Sequence, residues 1–259
     1  MKKIEILILC LTVASVALYL FIGPYQEYPF DVFAAIIYLI PPIVAVLSIG
    51  YLLRRPLADD WRPLILALFI GLLLWLAGEI CWNIYRFLLG IEIPYPSVAD
   101  LLWIIGYIPF GYFLVHLYRK SKDIFGIKER VVSTVVAVIM TFIVGVVLFG
   151  PVLAAFSGDL VTTLFDFAYP ISDVFLTFYS VAILLALLKV RRGFWWIIWV
   201  IPIILFVVAD LLFSYLTSQG MYYNGHPLDT LYIIAYFMFA FFGCRPGTLH
   251  YMLSVKPRR

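Results

Sequence analysis

The chain has 259 residues, of which 65% are hydrophobic, 18% aromatic and only 13% charged, with a formal net charge of +3; its mean hydropathy is +1.06. A soluble domain carries about 25% charged residues, so a water-soluble fold is excluded and the composition is that of an all-α polytopic membrane protein with lipid around it. The cysteines Cys10, Cys81 and Cys244 lie in or beside apolar segments, and they outline neither a disulfide framework nor a CxxC metal site.

A helix that crosses about 30 Å of hydrocarbon needs about 20 apolar residues. Taken in chain order, eight stretches meet that requirement: about 4–23, 31–53, 63–89, 99–118, 131–150, 162–189, 194–217 and 228–244. The first follows Met1-Lys2-Lys3 directly. It is long for a signal peptide, and its exit Phe21-Ile22-Gly23-Pro24 is no small-x-small cleavage site, so it reads as a retained helix. Pro41-Pro42, Pro109 and Pro202 predict kinks. What remains between the stretches is too short for a soluble unit, so 1–259 reads as one membrane domain.

Alternate connections carry the basic residues: Lys2 and Lys3; Arg54, Arg55 and Arg62; Arg119, Lys120, Lys122, Lys128 and Arg130; Lys189, Arg191 and Arg192; Arg245, Lys256, Arg258 and Arg259. That is 17 of the 18, and the exception, Arg86, lies inside the third stretch near its non-basic end. The positive-inside rule predicts that both termini face the cytoplasm of a cell membrane. The net positive charge is then a determinant of topology, and no nucleic-acid partner is expected.

The chain also repeats itself. The second stretch opens Tyr28-Pro29-Phe30-Asp31-Val32-Phe33, the sixth Tyr169-Pro170-Ile171-Ser172-Asp173-Val174-Phe175. Ala77-Gly78-Glu79 in the third is matched by Val208-Ala209-Asp210 in the seventh. The fourth opens Asp100-Leu101-Leu102-Trp103-Ile104-Ile105-Gly106-Tyr107, the eighth Asp229-Thr230-Leu231-Tyr232-Ile233-Ile234-Ala235-Tyr236. The order predicts two four-helix halves, about 1–122 and 123–259. Four helices is an even number, so the halves are parallel repeats about an axis near the membrane normal.

Acidic residues occupy the matched positions: Asp31 with Asp173, Glu79 with Asp210, Asp100 with Asp229; Asp166 adds another. All are expected in the outer half of the membrane or at its outer surface, where a carboxylate is expensive and faces a cavity or a partner. Glu79, Trp82, Asn83 and Arg86 share a helix face by spacing, as do Asp166, Tyr169, Pro170 and Asp173, and Asp210, Ser214 and Thr217. The expected site is an outward-opening acidic pocket made by Glu79, Asn83, Arg86, Asp166, Asp173 and Asp210, with Asp100, Asp229 and His226 at its mouth. A cationic or zwitterionic ligand or a metal ion would suit it.

Structural roles compete with that reading. Asp100 and Asp229 begin helices and can serve as N-caps; Asp31 can be simply solvated; Glu79 can pair with Arg86. Asp173 and Asp210 have no basic residue nearby in sequence. His116 and His250 read as interfacial, His226 as a loop residue. The absence of a mid-helix Lys removes a retinal Schiff base, and there is no GxSxG, HExxH or phosphate-binding loop. No cofactor is expected.

Tyr95-Pro96-Ser97-Val98-Ala99-Asp100 followed by Trp103 and Gly106-Tyr107, together with Ala209-Asp210 followed by Asp229-Thr230-Leu231-Tyr232, resembles the multi-helix membrane input domains that precede GGDEF or histidine-kinase modules in bacterial signalling proteins. The resemblance implies a sensor-like, non-enzymatic protein. With no output module after Arg259, its signal would pass to a separate partner docked on the basic loop 119–130 or on the tail. A fainter similarity joins Gly78-Glu79 and Ala209-Asp210 to lysoplasmalogenase-like membrane enzymes. It implies Glu79 and Asp210 as a catalytic acid–base pair for vinyl-ether hydrolysis, without the helical His that accompanies them there. A small transporter is the third reading; it is opposed by the lack of any acidic residue continuing inward.

Overall fold

The computed structural model describes residues 3–121, 127–154, 159–188 and 194–244. Every regular element among them is helical. They are α1 (Lys3–Ile22), α2 (Phe30–Leu53), α3 (Arg62–Asn83), α4 (Val98–Ser121), α5 (Ile127–Ala154), α6 (Leu160–Leu188), α7 (Phe194–Ser218) and α8 (Thr230–Gly243). A π-helical turn, Ile84–Leu89, prolongs α3, and a 3-10 turn, Pro227–Asp229, leads into α8. Among the described residues, six segments are long and apolar enough to cross a membrane: Lys3–Ile22, Phe30–Leu53, Arg62–Leu89, Val98–Lys120, Leu160–Leu185 and Trp199–Ser218. Shorter apolar stretches are Thr134–Val146 within α5 and Pro227–Gly243, formed by the 3-10 turn and α8.

Local chemistry sets several ends. Pro63 stands at the start of α3, where its missing N–H costs nothing. Gly90, at φ 59°, closes the π turn in the left-handed conformation that glycine adopts without penalty. At α4 the Ser97 N–H and hydroxyl both donate to Asp100 Oδ2, at 2.8 and 2.6 Å. That is a capping box with Asp in the acid position. Asp159 begins α6 by accepting from the Thr162 N–H at 2.9 Å.

The helices α2, α3, α4, α6, α7 and α8 touch in that cyclic order and close a six-membered ring. α1 packs against α2 and α8, and α5 against α6 and α7. In lipid there is little hydrophobic gain from helix association, so close approach and shape carry the packing. The α3–α4 pair shows how. Gly78 receives the Trp103 ring and Gly106 the Trp75 ring, each so closely that a Cβ would overlap it. The Trp75 indole N–H also donates to the Trp103 carbonyl at 2.9 Å.

Inside the ring, four aromatic side chains meet. Trp75 lies 4.4 Å from Phe110 and 4.6 Å from Phe206, centroid to centroid. Phe239 closes the circuit at 6.1 Å from Phe110 and 6.2 Å from Phe206. Towards the end that carries Lys120, Trp199 packs on Phe113, Phe242 and Trp61. The outward faces of α1 (Leu7, Leu9, Val13) and α5 (Val135, Val138, Ile139, Phe142, Val146) are exposed and apolar, as a surface against lipid must be.

Candidate functional site

Above the aromatic circuit lies a layer of carboxylates held by tyrosine hydroxyls. Asp173 of α6 and Asp210 of α7 are its centre. The Tyr107 hydroxyl of α4 lies 2.9 Å from Asp173 Oδ1 and 3.2 Å from Asp210 Oδ2. The Tyr232 hydroxyl of α8 donates to the other oxygen of Asp210 at 2.7 Å. Asp173 is 2% exposed; Asp210 and Glu79 are half-buried.

Two flanking groups share this chemistry. Asp100, besides completing the capping box of Ser97, accepts from the Tyr169 hydroxyl at 3.0 Å. Asp229 accepts from Tyr19 at 2.6 Å and from Tyr222 at 3.1 Å. Glu79 lies within electrostatic reach of both Asp229 and Asp210, which joins the flanks to the centre. Further out, Asp166 accepts from the Tyr95 hydroxyl at 2.6 Å. Burial, and then the bond to Asp166, hold the Tyr95 phenol above its usual range. Burial and the Asp229 charge do the same for Tyr222.

The residues expected to form the site part into two groups. Glu79, Asp173 and Asp210 come together, with Asp100 and Asp229 beside them, and Asp166 stands at the rim. Arg86 does not meet Glu79: the π turn carries it away from the regular helical stripe, and it pairs with Asp31 at 3.7 Å. Asp31, whose side chain is 18% exposed, is therefore a paired residue and not a freely solvated one. Asn83 spends its amide on the Glu79 backbone carbonyl at 2.8 Å. Asp229 is no N-cap by side chain; His226 plays that part, its Nδ1 accepting from the Leu228 N–H. His116 stacks on Tyr112. His250, the tail and residues 122–126 between α4 and α5 lie outside the described residues.

The tyrosines Tyr19, Tyr95, Tyr107, Tyr169, Tyr222 and Tyr232 are what the sequence reading missed. Their signal is partial: Tyr169 shares the Asp166–Asp173 face, and Tyr95, Tyr107 and Tyr232 stand in the repeat and resemblance motifs, but only the abundance of 18 tyrosines points to Tyr19 and Tyr222. Among the described residues no group of three or more His, Cys, Asp or Glu is placed to hold a metal ion. The layer can bind a small cation through oxygen atoms, or give and take protons.

No protein-family model, curated protein or solved structure matches the chain.

Proposed function

We propose that this is an eight-crossing membrane protein of two parallel four-helix halves, termini in the cytoplasm, which binds a cationic ligand in its outward acid–tyrosine layer and reports binding to a partner. The observation that carries the reading is charge balance. Carboxylates from both halves (Glu79 and Asp100; Asp173, Asp210 and Asp229) converge, and among the described residues none of them is in an ion pair with Lys or Arg. Uncompensated carboxylates are costly at membrane depth, and a cation entering from outside offsets them.

The packing supports the two halves. α2 lies against α8 just as α6 lies against α4, and α3–α4 and α7–α8 are corresponding pairs. A ligand seated between the halves would change how they meet, and the basic end of α4 (Arg119, Lys120) would carry that change to the partner.

The test is thermal unfolding in detergent, wild type against Glu79→Gln/Asp210→Asn, alone and with metal cations, amines and lysolipids. Binding predicts a ligand-induced rise in the wild type that the double variant loses. If no cation or amine shifts either protein, the reading fails. A second reading, lipid hydrolysis, is expected from the sequence to use Glu79 and Asp210; the observation that favours it involves Asp173 in place of Glu79, since Asp173 and Asp210, one buried and one partly exposed, meet at a single hydroxyl. Carboxylates in unequal settings can divide acid and base roles. Release of aldehyde from a vinyl-ether lysolipid by the wild type would select it.

A further inference from the structure

The zone beneath the acid layer is not wholly apolar. Among the described residues four buried polar atoms have no hydrogen-bond partner: Thr141 Oγ1, Thr177 Oγ1, Ser180 Oγ and Trp199 Nε1. Three of them line up under the Asp173–Asp210 pair. Thr177 and Ser180 follow Asp173 on α6 by four and seven residues, which keeps all three on one helix face. Both are buried, Thr177 to 5% exposure and Ser180 to 0%.

Helix directions put Trp199 on the same side. Along α4, Tyr107 meets Asp173 and Tyr118 meets Tyr179, so α6 runs with α4. Tyr107 meets Asp210 while Phe113 meets Trp199, so α7 runs against it. Descending from the pair, Thr177 comes after about 6 Å, Ser180 after about 10 Å and Trp199 after about 16 Å, at 1.5 Å per residue. Trp199 then touches Trp61, over whose ring the Lys120 ammonium lies at 5.0 Å. The column thus runs from the acid layer towards the basic end. Successive groups are thus separated along the helix axis by about 4–6 Å, steps of the order that water-mediated contacts cover, and buried groups without a protein partner are where internal water sits.

The acid pair supplies the other element. Tyr107 has one hydroxyl hydrogen but meets two carboxylates, and the Tyr232 hydrogen is already committed to the far oxygen of Asp210. The cluster has room for one further hydrogen. The groups facing it are Tyr107 of α4, Tyr232 of α8, Glu79 of α3, and Tyr169 and Asp100 at the rim. α5 carries no titratable residue between Val131 and Ala154.

We propose that the seam between α4, α6 and α7 conducts protons, with internal water held by Thr177, Ser180 and the Trp199 indole linking the Asp173–Asp210 pair to the basic end of the molecule. Each hop makes one O–H bond and breaks one, and rotation of hydroxyls and waters resets the file; no other reactant is needed. This goes beyond ligand binding, since it gives the acid layer a route inward that needs no further acidic residue.

The experiment uses the full chain in liposomes loaded with a pH-sensitive dye, with proton entry driven by a valinomycin-clamped potassium potential. The wild type should acidify the interior faster than protein-free liposomes do. Asp210→Asn should fall to the protein-free rate, and so should Thr177→Val/Ser180→Ala, which keeps side-chain volume nearly unchanged; Trp199→Phe should slow entry. Melting in detergent confirms that each variant is folded, and Ser180→Ala alone is read by the same criterion if the double variant is not. A wild-type rate equal to that of empty liposomes overturns the proposal, as does a hydroxyl-free variant that conducts like the wild type. The ligand-induced melting shift is scored separately. A retained shift without flux removes conduction and leaves binding; flux without any shift does the reverse.

Discussion

Trp75 and Phe206 meet edge to face, 4.6 Å between centroids, and each stands four residues before an acid of the carboxylate layer, Glu79 and Asp210. The same correspondence recurs around them. Trp75 packs on Tyr107 at 5.4 Å as Phe206 packs on Tyr236 at 4.8 Å, and Phe110 stacks on its counterpart Phe239. Such meetings are what the proposed axis between two halves would produce. The aromatic circuit is also the floor on which the acid layer rests.

That floor should be the least tolerant part of the ring. Trp75→Ala or Phe206→Ala should cost about 3–5 kcal/mol, as large-to-small changes of buried aromatics do. The pair should show a coupling of about 0.5–1.5 kcal/mol beyond area burial. A double-mutant cycle on denaturant unfolding in mixed micelles measures both; additivity of the two single changes would deny the contact its role.

Gly106 admits the Trp75 ring, and a methyl group there would overlap it. Gly106→Ala should destabilise by about 1–3 kcal/mol, the usual cost of overpacking, and should disturb the bond from the Trp75 indole to Trp103. Tryptophan fluorescence and the melting temperature read the two effects. Gly90→Ala probes a different cause, since nothing crowds Gly90 and only its positive φ resists a side chain; its loss should be smaller and leave the fluorescence unchanged.

Helix positions were legible because hydropathy and span length are properties of the chain alone: the expected stretches 31–53, 63–89 and 194–217 fall on Phe30–Leu53, Arg62–Leu89 and Phe194–Ser218. Rotation about each helix axis was much less so. A helix apolar on nearly every face does not say which side meets a neighbour. Hence Asp173 and Asp210 were recognisable as acids without a basic residue nearby, while Tyr107, which joins them from another helix, was not. Arg86 was misread because the i, i+7 rule assumes an unbroken α-helix, and the π turn at Ile84–Leu89 breaks it. The Ser97-x-x-Asp100 box is half legible: the sequence offers Asp100 as an N-cap candidate, and in the structure it is the acid partner of the capping Ser97.

Two loop tyrosines predict a shape for alkaline unfolding. Burial raises the phenols of Tyr95 and Tyr222 above the unfolded value near 10. A group whose folded pKa is raised stabilises fully below its unfolded pKa and loses that contribution as pH climbs past it. Stability should therefore be flat up to about pH 10 and then fall. Tyr222→Phe should reduce the steepness of that fall, and so should Tyr95→Phe, more weakly because its side chain is the more exposed. Circular dichroism through an alkaline titration, with tyrosinate absorbance alongside, checks the sign. A fall beginning well below pH 9 would mean that other groups govern it.

Tyr107→Phe isolates the hydroxyl that Asp173 and Asp210 share while keeping the ring that packs on Trp75. Tyr232→Phe removes a hydroxyl that serves Asp210 alone. Leaving a buried polar group without its partner costs about 1–3 kcal/mol, so both variants should melt lower, Tyr107→Phe the more so because two carboxylates lose a partner. Asp210→Asn should soften the Tyr107→Phe loss, since an amide can donate to Asp173 where the phenol did. A melting series of the two single changes, Asp210→Asn and the Tyr107→Phe/Asp210→Asn pair decides it. If Tyr107→Phe melts with the wild type, the hydroxyl is not what holds the carboxylates together. If it melts lower and Asp210→Asn restores part of the loss, the three side chains act as one unit.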